Sequence, residues 1–392
     1  MKQIRMIIIF FVLLLLSACW DSVELDDSIM VVGIGVSKHK DKYKIVVEAT
    51  APSNISEMEK ADEGDSILLE TTSATLFDAA RDIIQVAKRR LYFTHAEVWV
   101  IHDELAADED MLAFLDILRR EKMLRLNSYI FVSDIPPKDI FSTEYTFSSI
   151  LSEELVSGVE YEKYISNYPT VKSRDFFKMM LSPLRTGFLP TITTVEQNGN
   201  ILSELTGAAI FNKGKMVGRL NADESAGLMW LNGEVEGGSI TVSDDDMSAS
   251  FKLINGNLDL ETHLSGEDLT VHVHIEAEGS LADQYVHVTS MNEWTKKFET
   301  IVSEEIKQEI TQALQKLQGD FKTDATAIGI HTYRRQVHDF NKVKDNWDDV
   351  FSNASIEIDV ETRITDKGLI ESPGYQSKEQ KYERLYQFKK ED

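Results

Sequence analysis

Apolar residues change their spacing along the chain, and these changes divide it into three parts. From residue 29 to residue 190, short runs rich in Val and Ile alternate with stretches whose apolar residues recur every three or four positions. The runs predict β-strands, and the longer spacing predicts amphipathic helices. We expect strands at residues 29–37, 43–51, 66–72, 98–101 and 128–132, and helices at 75–89, 111–122, 147–157 and 173–181.

The second part, from Thr191 to His263, consists mostly of short apolar runs separated by glycines. This composition predicts strands joined by turns. One helix is expected at residues 222–231, where Asn221 is placed to cap its first turn. The expected strands are 205–211, 215–220, 239–242 and 250–254.

The third part contains the longest apolar stripe with helical spacing. Its members lie mostly three or four positions apart, at Trp294, Phe298, Ile301, Val302, Ile306, Ile310, Leu314 and Leu317. The stripe predicts a helix over residues 293–318, with Ser290 and Glu293 as a capping box and Gly319 at its end. We favour packing on the protein's own sheet over a partner-binding helix, because a single stripe normally faces the core. Other expected elements are strands at 269–278 and 355–365 and helices at 330–340 and 343–351.

These patterns predict an α+β protein with antiparallel or mixed sheets and a long amphipathic helix in its last domain. We expect three mixed α/β domains after a leader. The predicted segments are a signal peptide at 1–18, an N-terminal α/β domain at 19–190, a mostly β domain at 191–265, a C-terminal α/β domain at 266–368 and a charged tail at 369–392.

The leader has the layout of a secretory signal peptide. Lys2 and Arg5 precede ten unbroken apolar residues at 7–16, and Cys19 follows two small residues. Ten helical residues extend about 15 Å, whereas a bilayer core is roughly 30 Å thick, so the run is too short to span comfortably. The segment 16–19 resembles a bacterial lipobox, in which the cysteine receives a diacylglyceryl group. The alternative is an ordinary signal peptide.

The net charge of the chain argues against some classes of function. The chain carries −25 overall, and removal of the leader's two cations leaves −27. Phosphate backbones and anionic headgroups repel such a surface, so nucleic-acid binding is disfavoured and net charge does not hold the protein on a membrane. Acyl chains on Cys19 would hold it there. Because Cys19 is the only cysteine, its acylation would leave no thiol for disulfides, metal binding or catalysis.

Catalytic motifs are scarce in the sequence. Gly33-Ile34-Gly35 lacks the third glycine of a dinucleotide loop, and no phosphate loop or nucleophile elbow is present. His272 and His274 share one face of a predicted strand and could bind a metal with His263 or His287, but alternate polar positions of a half-exposed strand explain them equally well. We predict no catalytic, metal or cofactor site, and the covalent lipid on Cys19 as the only attached group.

The residues after the leader resemble a known family. Cys19-Trp20-Asp21-Ser22-Val23-Glu24-Leu25 is similar to the start of mature Ger(x)C proteins, the lipoprotein C subunits of nutrient germinant receptors. Weaker resemblances follow along the chain, at residues 90–95, 207–211, 217–218, 224–228, 347, 351 and 368.

The resemblance implies a non-enzymatic lipoprotein on the outer face of the spore inner membrane. It would act with integral-membrane A-type and B-type subunits in germination, and its contact with the nutrient would be indirect. Trp20, Asp21, Glu24 and Leu25 are then candidate contacts to a partner or to the membrane. The alternative is a solute-binding lipoprotein of a transporter, which predicts a deep cleft between two similar α/β lobes. An envelope-remodelling enzyme is a third class.

Overall fold

The computed structural model describes Gln3 and residues 28–50, 66–120, 123, 125–144, 148, 150–161, 164–244, 247–285 and 291–366. Its strands are β1 (Ser28–His39), β2 (Lys42–Thr50), β3 (Ile67–Ser73), β4 (Arg90–Tyr92), β5 (Val98–His102), β6 (Tyr129–Ser133), β7 (Thr186–Gln197), β8 (Asn200–Asn212), β9 (Lys215–Leu220), β10 (Gly238–Asp244), β11 (Met247–Ser265), β12 (Asp268–Tyr285) and β13 (Ser355–Asp366).

The helices of the described residues are α1 (Leu76–Ala87), α2 (Asp103–Asp108), α3 (Met111–Arg120), α4 (Pro137–Ile140), α5 (Leu151–Glu160), α6 (Ser173–Met180), α7 (Ala222–Asn232), α8 (Met291–Leu314), α9 (Ala327–Arg335), α10 (Val337–Val343) and α11 (Trp347–Ser352). Helix α8 continues into a π-helical turn at Gln315–Asp320. The expected mixed α/β class is confirmed, with strands and helices close to most of the predicted positions.

The first sheet has nine strands in the order β3-β2-β1-β5-β6-β7-β8-β9, with β4 also paired to β1. Its central strands β1, β5, β6 and β7 are parallel, and antiparallel hairpins extend it on both sides. Helices cover both faces of this sheet. On one face, Trp99 packs in a cluster with α1, α3 and α6. Val98 and Val100 point to the other face and pack in a second cluster with α4 and α5. Burial on both faces explains the unbroken apolar run of β5.

The boundary expected at residue 190 falls inside β7, which continues the first sheet. The change in the spacing of apolar residues near residue 190 therefore does not mark the start of a new sheet. Connections through helices give way to hairpins, because β7 is parallel to β6 but antiparallel to β8. Likewise, the boundary expected at residue 265 falls in the β11–β12 hairpin, so the second sheet begins at β10 rather than at 266.

The second sheet has the order β10-β11-β12-β13 and is antiparallel except for the β12–β13 pair. Val271, Val273, Ile275 and Ala277 of β12 are buried, and the alternate residues are not. The stripe of α8 is buried against this sheet, as expected from its spacing, with only Ile301 half-buried. The predicted cap Ser290 lies outside the described residues.

Helix α7 connects the two sheets. Its expected cap is present: the Asn221 side chain accepts from the backbone N–H of Glu224 at 2.9 Å, and the Glu224 carboxylate accepts from the N–H of Asn221 at 2.9 Å. Farther along α7, Gly227 faces the backbone of α8, and a Cβ at this position would overlap the carbonyl oxygen of Glu309. The two helices therefore approach each other at a distance that only glycine permits.

Replacement of Gly227 by alanine is expected to destabilise the protein. The added methyl group must push α7 away from α8, and overpacking of this kind costs about 1–3 kcal/mol or more. Urea unfolding followed by far-UV circular dichroism measures the loss. Gly319→Ala is the matched control, because no atom lies within 4 Å of a Cβ there. Equal midpoints for the two variants would contradict the close packing of α7 on α8.

Candidate functional site

The five residues that the sequence singles out near the leader lie outside the described residues. They are Cys19, Trp20, Asp21, Glu24 and Leu25. The first strand begins at Ser28, nine positions after Cys19. Their roles in lipidation and contact stay predictions. In the part of the chain that the structure describes, no helix is both long and apolar enough to cross a bilayer.

His272 and His274 alternate with the buried residues of β12 and therefore lie on the more exposed face of the second sheet. His272 Nδ1 is 3.0 Å from Glu357 Oε2, and His274 Nδ1 is 3.0 Å from Asp359 Oδ2. Both pairs arise from the parallel register of β12 and β13, which sets each histidine beside a β13 carboxylate. We call this surface the histidine–carboxylate face.

Three groups on this face could hold a divalent cation. One ligand atom each from His274, Glu276 and Glu361 lies within 4.8 Å of the others, and Asp359 holds the opposite imidazole nitrogen of His274. A carboxylate in that position commonly orients a metal-ligating histidine. His263 pairs with Thr270 and is outside this group of three, and His287 lies outside the described residues. The expected absence of a metal stays a prediction.

A groove of about 1030 Å³ adjoins the histidine–carboxylate face. Its polar lining from the sheet consists of Asp259, Glu261, His272, His274, Glu357 and Asp359, and α8 contributes Lys307, Thr311, Gln315 and Gln318. The groove is wide open and carries more carboxylates than cations. Its chemistry suits a cationic partner rather than an anionic one.

The two sheets meet around a buried carboxylate at Asp324. Its oxygens accept hydrogen bonds from the backbone N–H of Thr326 at 3.0 Å, the Thr326 hydroxyl at 2.7 Å and the indole N–H of Trp347 at 2.9 Å. The Asp324 carbonyl accepts from the Thr186 hydroxyl of β7 at 2.6 Å. Asp324 has no solvent exposure. Its backbone carbonyl bonds the first sheet, and its side chain bonds Thr326, which precedes α9, and Trp347 of α11.

Burial sets the protonation of two acids near the contact between the sheets. Burial raises the pKa of Asp324 to about 6, although its hydrogen bonds from Thr326 and Trp347 oppose the rise. Burial also raises the pKa of Glu309 on α8 to about 7, against the hydrogen bond from Trp230 Nε1 at 3.2 Å. Both carboxyl groups therefore hold a proton more tightly than an exposed carboxyl group does.

Segments that carry the family resemblance meet at the same place. A Cβ at Gly218 would overlap the Phe321 ring, just before Asp324, and Trp347 donates to Asp324 itself. Phe351 is fully buried in the common core. These residues hold the two sheets together, so the resemblance in this part of the chain rests on packing rather than on exposed chemistry.

Comparison with protein families matches both halves of the chain. A model described as the spore germination protein N-terminal domain matches residues 21–194, and one described as spore germination B3/GerAC like, C-terminal, matches residues 206–368. The chain belongs to the Ger(x)C family of spore germination proteins. The two matches divide in the β7–β8 hairpin, within the first sheet.

Relatives in Bacillus subtilis (strain 168) match the Ger(x)C chain along nearly its whole length. Spore germination protein B3 is 23% identical over 381 residues, which cover 93% of this chain and 97% of B3. Spore germination protein A3 is 25% identical, with 93% and 98% covered. Spore germination protein KC is 22% identical, with 95% and 97% covered.

A solved structure confirms the fold. The crystal structure of the GerBC protein superposes with a TM-score of 0.57 at 19% identity, covering 85% of this chain and 97% of GerBC. The family predicted from the opening motif is thus confirmed, and a role in germination follows from the relatives.

Inspection of the sequence missed Asp324. One local signal was available, because Asp324-Ala325-Thr326 precedes α9 and the Thr326 hydroxyl caps that helix by accepting from Ile328 at 3.1 Å. Capping residues usually lie at the surface, however. Only the packing of β7, α9 and α11 reveals that this carboxylate is buried.

The raised pKa of Glu309 makes stability depend on pH. An acid whose pKa is higher in the folded than in the unfolded chain destabilises the fold once pH exceeds the unfolded value near 4.5. Glu309→Gln keeps an acceptor for Trp230 and removes the charge. We expect this variant to be more stable than the wild type by about 1–3 kcal/mol at pH 8, because one pKa unit corresponds to about 1.4 kcal/mol.

The advantage of Glu309→Gln is expected to shrink as pH falls below 7 and to vanish below about 4.5, where both states of the wild type are neutral at this site. Urea unfolding at pH 8, 6 and 4.5 measures the trend. Glu304→Gln, on the exposed side of α8, removes the same charge as a control. A difference that stays constant with pH would rule out the buried acid as its source.

Proposed function

We propose that the chain is a lipid-anchored, non-enzymatic subunit of a nutrient germinant receptor in the spore inner membrane. The observation that carries this proposal is the similarity of both halves to spore germination proteins, over 93% of the chain and 97% of B3. The polar groups that cluster in the described residues also favour assembly over catalysis. On the second sheet these groups form ion pairs, and in the core the buried Asp324 carboxylate accepts a hydrogen bond from Trp347.

Lipid on Cys19 supplies the membrane attachment in this proposal. A diacylglyceryl group brings two acyl chains, which suffices for stable anchoring at about 0.8 kcal/mol per buried methylene. Anchoring confines the chain to the plane of its partners and raises its effective concentration toward them without a new contact. Attachment by acyl chains is compatible with a net charge of −25.

The partners in this proposal are the integral-membrane A-type and B-type subunits. Trp20, Asp21, Glu24 and Leu25 follow the lipid directly and are the first residues able to meet those subunits or the headgroup layer. The body of the protein then transmits or stabilises the assembled state, and nutrient recognition by this subunit is indirect.

The architecture does not favour a solute-binding lipoprotein. That class requires two similar lobes with a ligand cleft between them. Here a nine-stranded sheet with helices on both faces meets a four-stranded sheet with one open face. One apolar cluster extends through both sheets, whereas a ligand cleft would separate two lobes.

Cys19→Ala is expected to release the chain from the membrane and to abolish germination in response to the nutrient. The reason is that no other thiol can accept the lipid, since Cys19 is the only cysteine. Fractionation of spores and immunoblotting measure the membrane-bound share, and the loss of optical density after nutrient addition measures germination.

Ser22→Ala is the control for Cys19→Ala, because it changes a neighbouring small residue and leaves the acceptor thiol intact. It is expected to fractionate and germinate like the wild type. A Cys19→Ala chain that stays fully in the membrane fraction and supports normal germination would refute the anchoring role.

A further inference from the structure

The described chain enters the first sheet at an edge with a distinct charge. Strands β1, β4, β5 and β6 are parallel and all enter the sheet from the same end. Arg90 of β4 is in register with Ser28 of β1, whereas Val98 of β5 and Tyr129 of β6 are in register with Gly33, five residues farther along β1. All connections into these strands therefore lie at one end of the sheet. We call this end the entry edge.

Five cations lie at the entry edge. Lys88, Arg90, Arg125 and Arg174 are exposed and Lys172 is half-buried. Their positions follow from the fold: the loop before β6 contains Arg125, Lys172 bridges to Tyr129, and the Arg174 N–H donates to the Leu126 carbonyl at 3.0 Å.

Acidic neighbours balance only part of this charge. Glu97 lies 3.6 Å from Arg125, and Asp175 lies 3.3 Å from Arg174. Lys172 lies over the Tyr129 ring and Arg90 over the Tyr92 ring. The ion pairs formed among the described residues include neither of these two cations. Among the described residues, this edge therefore carries more cations than paired carboxylates, in a chain whose net charge is −25.

Apolar side chains project among these cations. Leu126, between Arg125 and Asn127, is 47% exposed, and Ile67 at the start of β3 is also 47% exposed. Ile67 belongs to the same edge, since it pairs with Ala49, next to the end of β2 that pairs with β1. Apolar side chains flanked by cations suit the layer of lipid headgroups.

The length of the preceding chain restricts where this edge can be. Nine positions separate Cys19 from Ser28, and a chain of that length spans at most about 32 Å. The opposite end of β1, at His39, lies about 36 Å farther along the strand. A lipid on Cys19 therefore keeps the entry edge near the bilayer and leaves the far end free to point away.

Because salt screens distant charges, the cations of one edge can attract an anionic surface although the whole chain is negatively charged. The Debye length is about 8 Å at physiological ionic strength, so an anionic surface interacts mainly with the charges nearest to it. The acidic residues Asp259, Glu357 and Asp359 lie on the other sheet, on the histidine–carboxylate face. Contact through the basic edge brings cations to the headgroups without requiring that face to approach.

We propose that the entry edge lies against the anionic phospholipid headgroups and sets the orientation of the anchored chain, with Leu126 at the headgroup layer. This inference rests on the proposed lipid anchor on Cys19. It assigns the partner of the edge as an anionic bilayer surface rather than a protein.

Single-cysteine labelling tests the orientation, because acylated Cys19 leaves no free thiol in the chain. The full chain with Leu126→Cys or His39→Cys is purified from a host that lipidates it, labelled with an environment-sensitive fluorophore, and reconstituted into vesicles of phosphatidylglycerol and phosphatidylcholine. Lipids with a nitroxide at the headgroup quench the fluorophore. We expect at least threefold more quenching at position 126 than at position 39.

Charge reversal tests whether the cations of the entry edge cause the orientation. Each basic residue near an anionic surface favours contact about fivefold, so the loss of two cations in Arg90→Glu with Arg125→Glu is expected to lower contact on the order of 25-fold. The two added carboxylates lower it further, and the excess quenching at position 126 is expected to disappear. Lys40→Glu with Lys42→Glu, at the far end of β1 and β2, makes the same change of charge and is expected to leave quenching unchanged. Vesicles of phosphatidylcholine alone lack anionic headgroups, so they test the same role of charge without any substitution in the protein.

The outcomes separate this inference from the proposed anchor. A wild-type chain that leaves the vesicle fraction contradicts the anchor and overturns both proposals. A chain that stays bound but shows equal quenching at positions 126 and 39 overturns the orientation alone. Strong quenching at position 126 that persists in phosphatidylcholine and after charge reversal overturns the role of the anionic headgroups.

Discussion

Asp324, a residue with no solvent exposure, links the first sheet to the segments that begin α9 and α11. Asp324 accepts three hydrogen bonds, from two groups of Thr326 and from Trp347, while its carbonyl accepts from Thr186 of the first sheet. Hydrogen bonds to a charged group contribute about 1.5–3 kcal/mol each, and an unsatisfied buried carboxylate is costly. The surrounding segments must therefore stay together, and one apolar cluster extends through both sheets.

Close backbone approaches impose a second constraint at the same contact. Any side chain at Gly218 would overlap Phe321, and one at Gly329 would overlap Asp324. At Gly227, the backbone of α8 takes the place that a Cβ would need. Packing at such distances leaves no room for small adjustments, because protein interiors are as dense as organic crystals. This explains why residues that carry the family resemblance lie inside the molecule, where they determine how the two halves fit.

Charge is distributed unevenly over this packed body. Carboxylates surround the histidines of the second sheet, whereas cations gather where β1, β4, β5 and β6 begin. A rigid body with distinct ends can hold a defined orientation at a membrane once a short chain ties one end to it. Such an orientation would leave the remaining faces in a reproducible position, as the proposed assembly role requires.

Local patterns in the sequence determined the elements of this protein and its family. The stripe of α8, the cap of α7 at Asn221 and the alternation of β13 depend on neighbours a few positions away, so they could be predicted directly. The opening motif likewise identified the family, which the comparisons confirm. Only the tertiary structure decided which strands share a sheet, because β12 pairs with β13 across some 70 intervening residues and β7 joins strands on both sides of an apparent boundary. It alone also decided that Asp324 is buried and that cations from three separate segments lie at one end of the first sheet. Burial and convergence both arise from contacts between residues far apart in the chain.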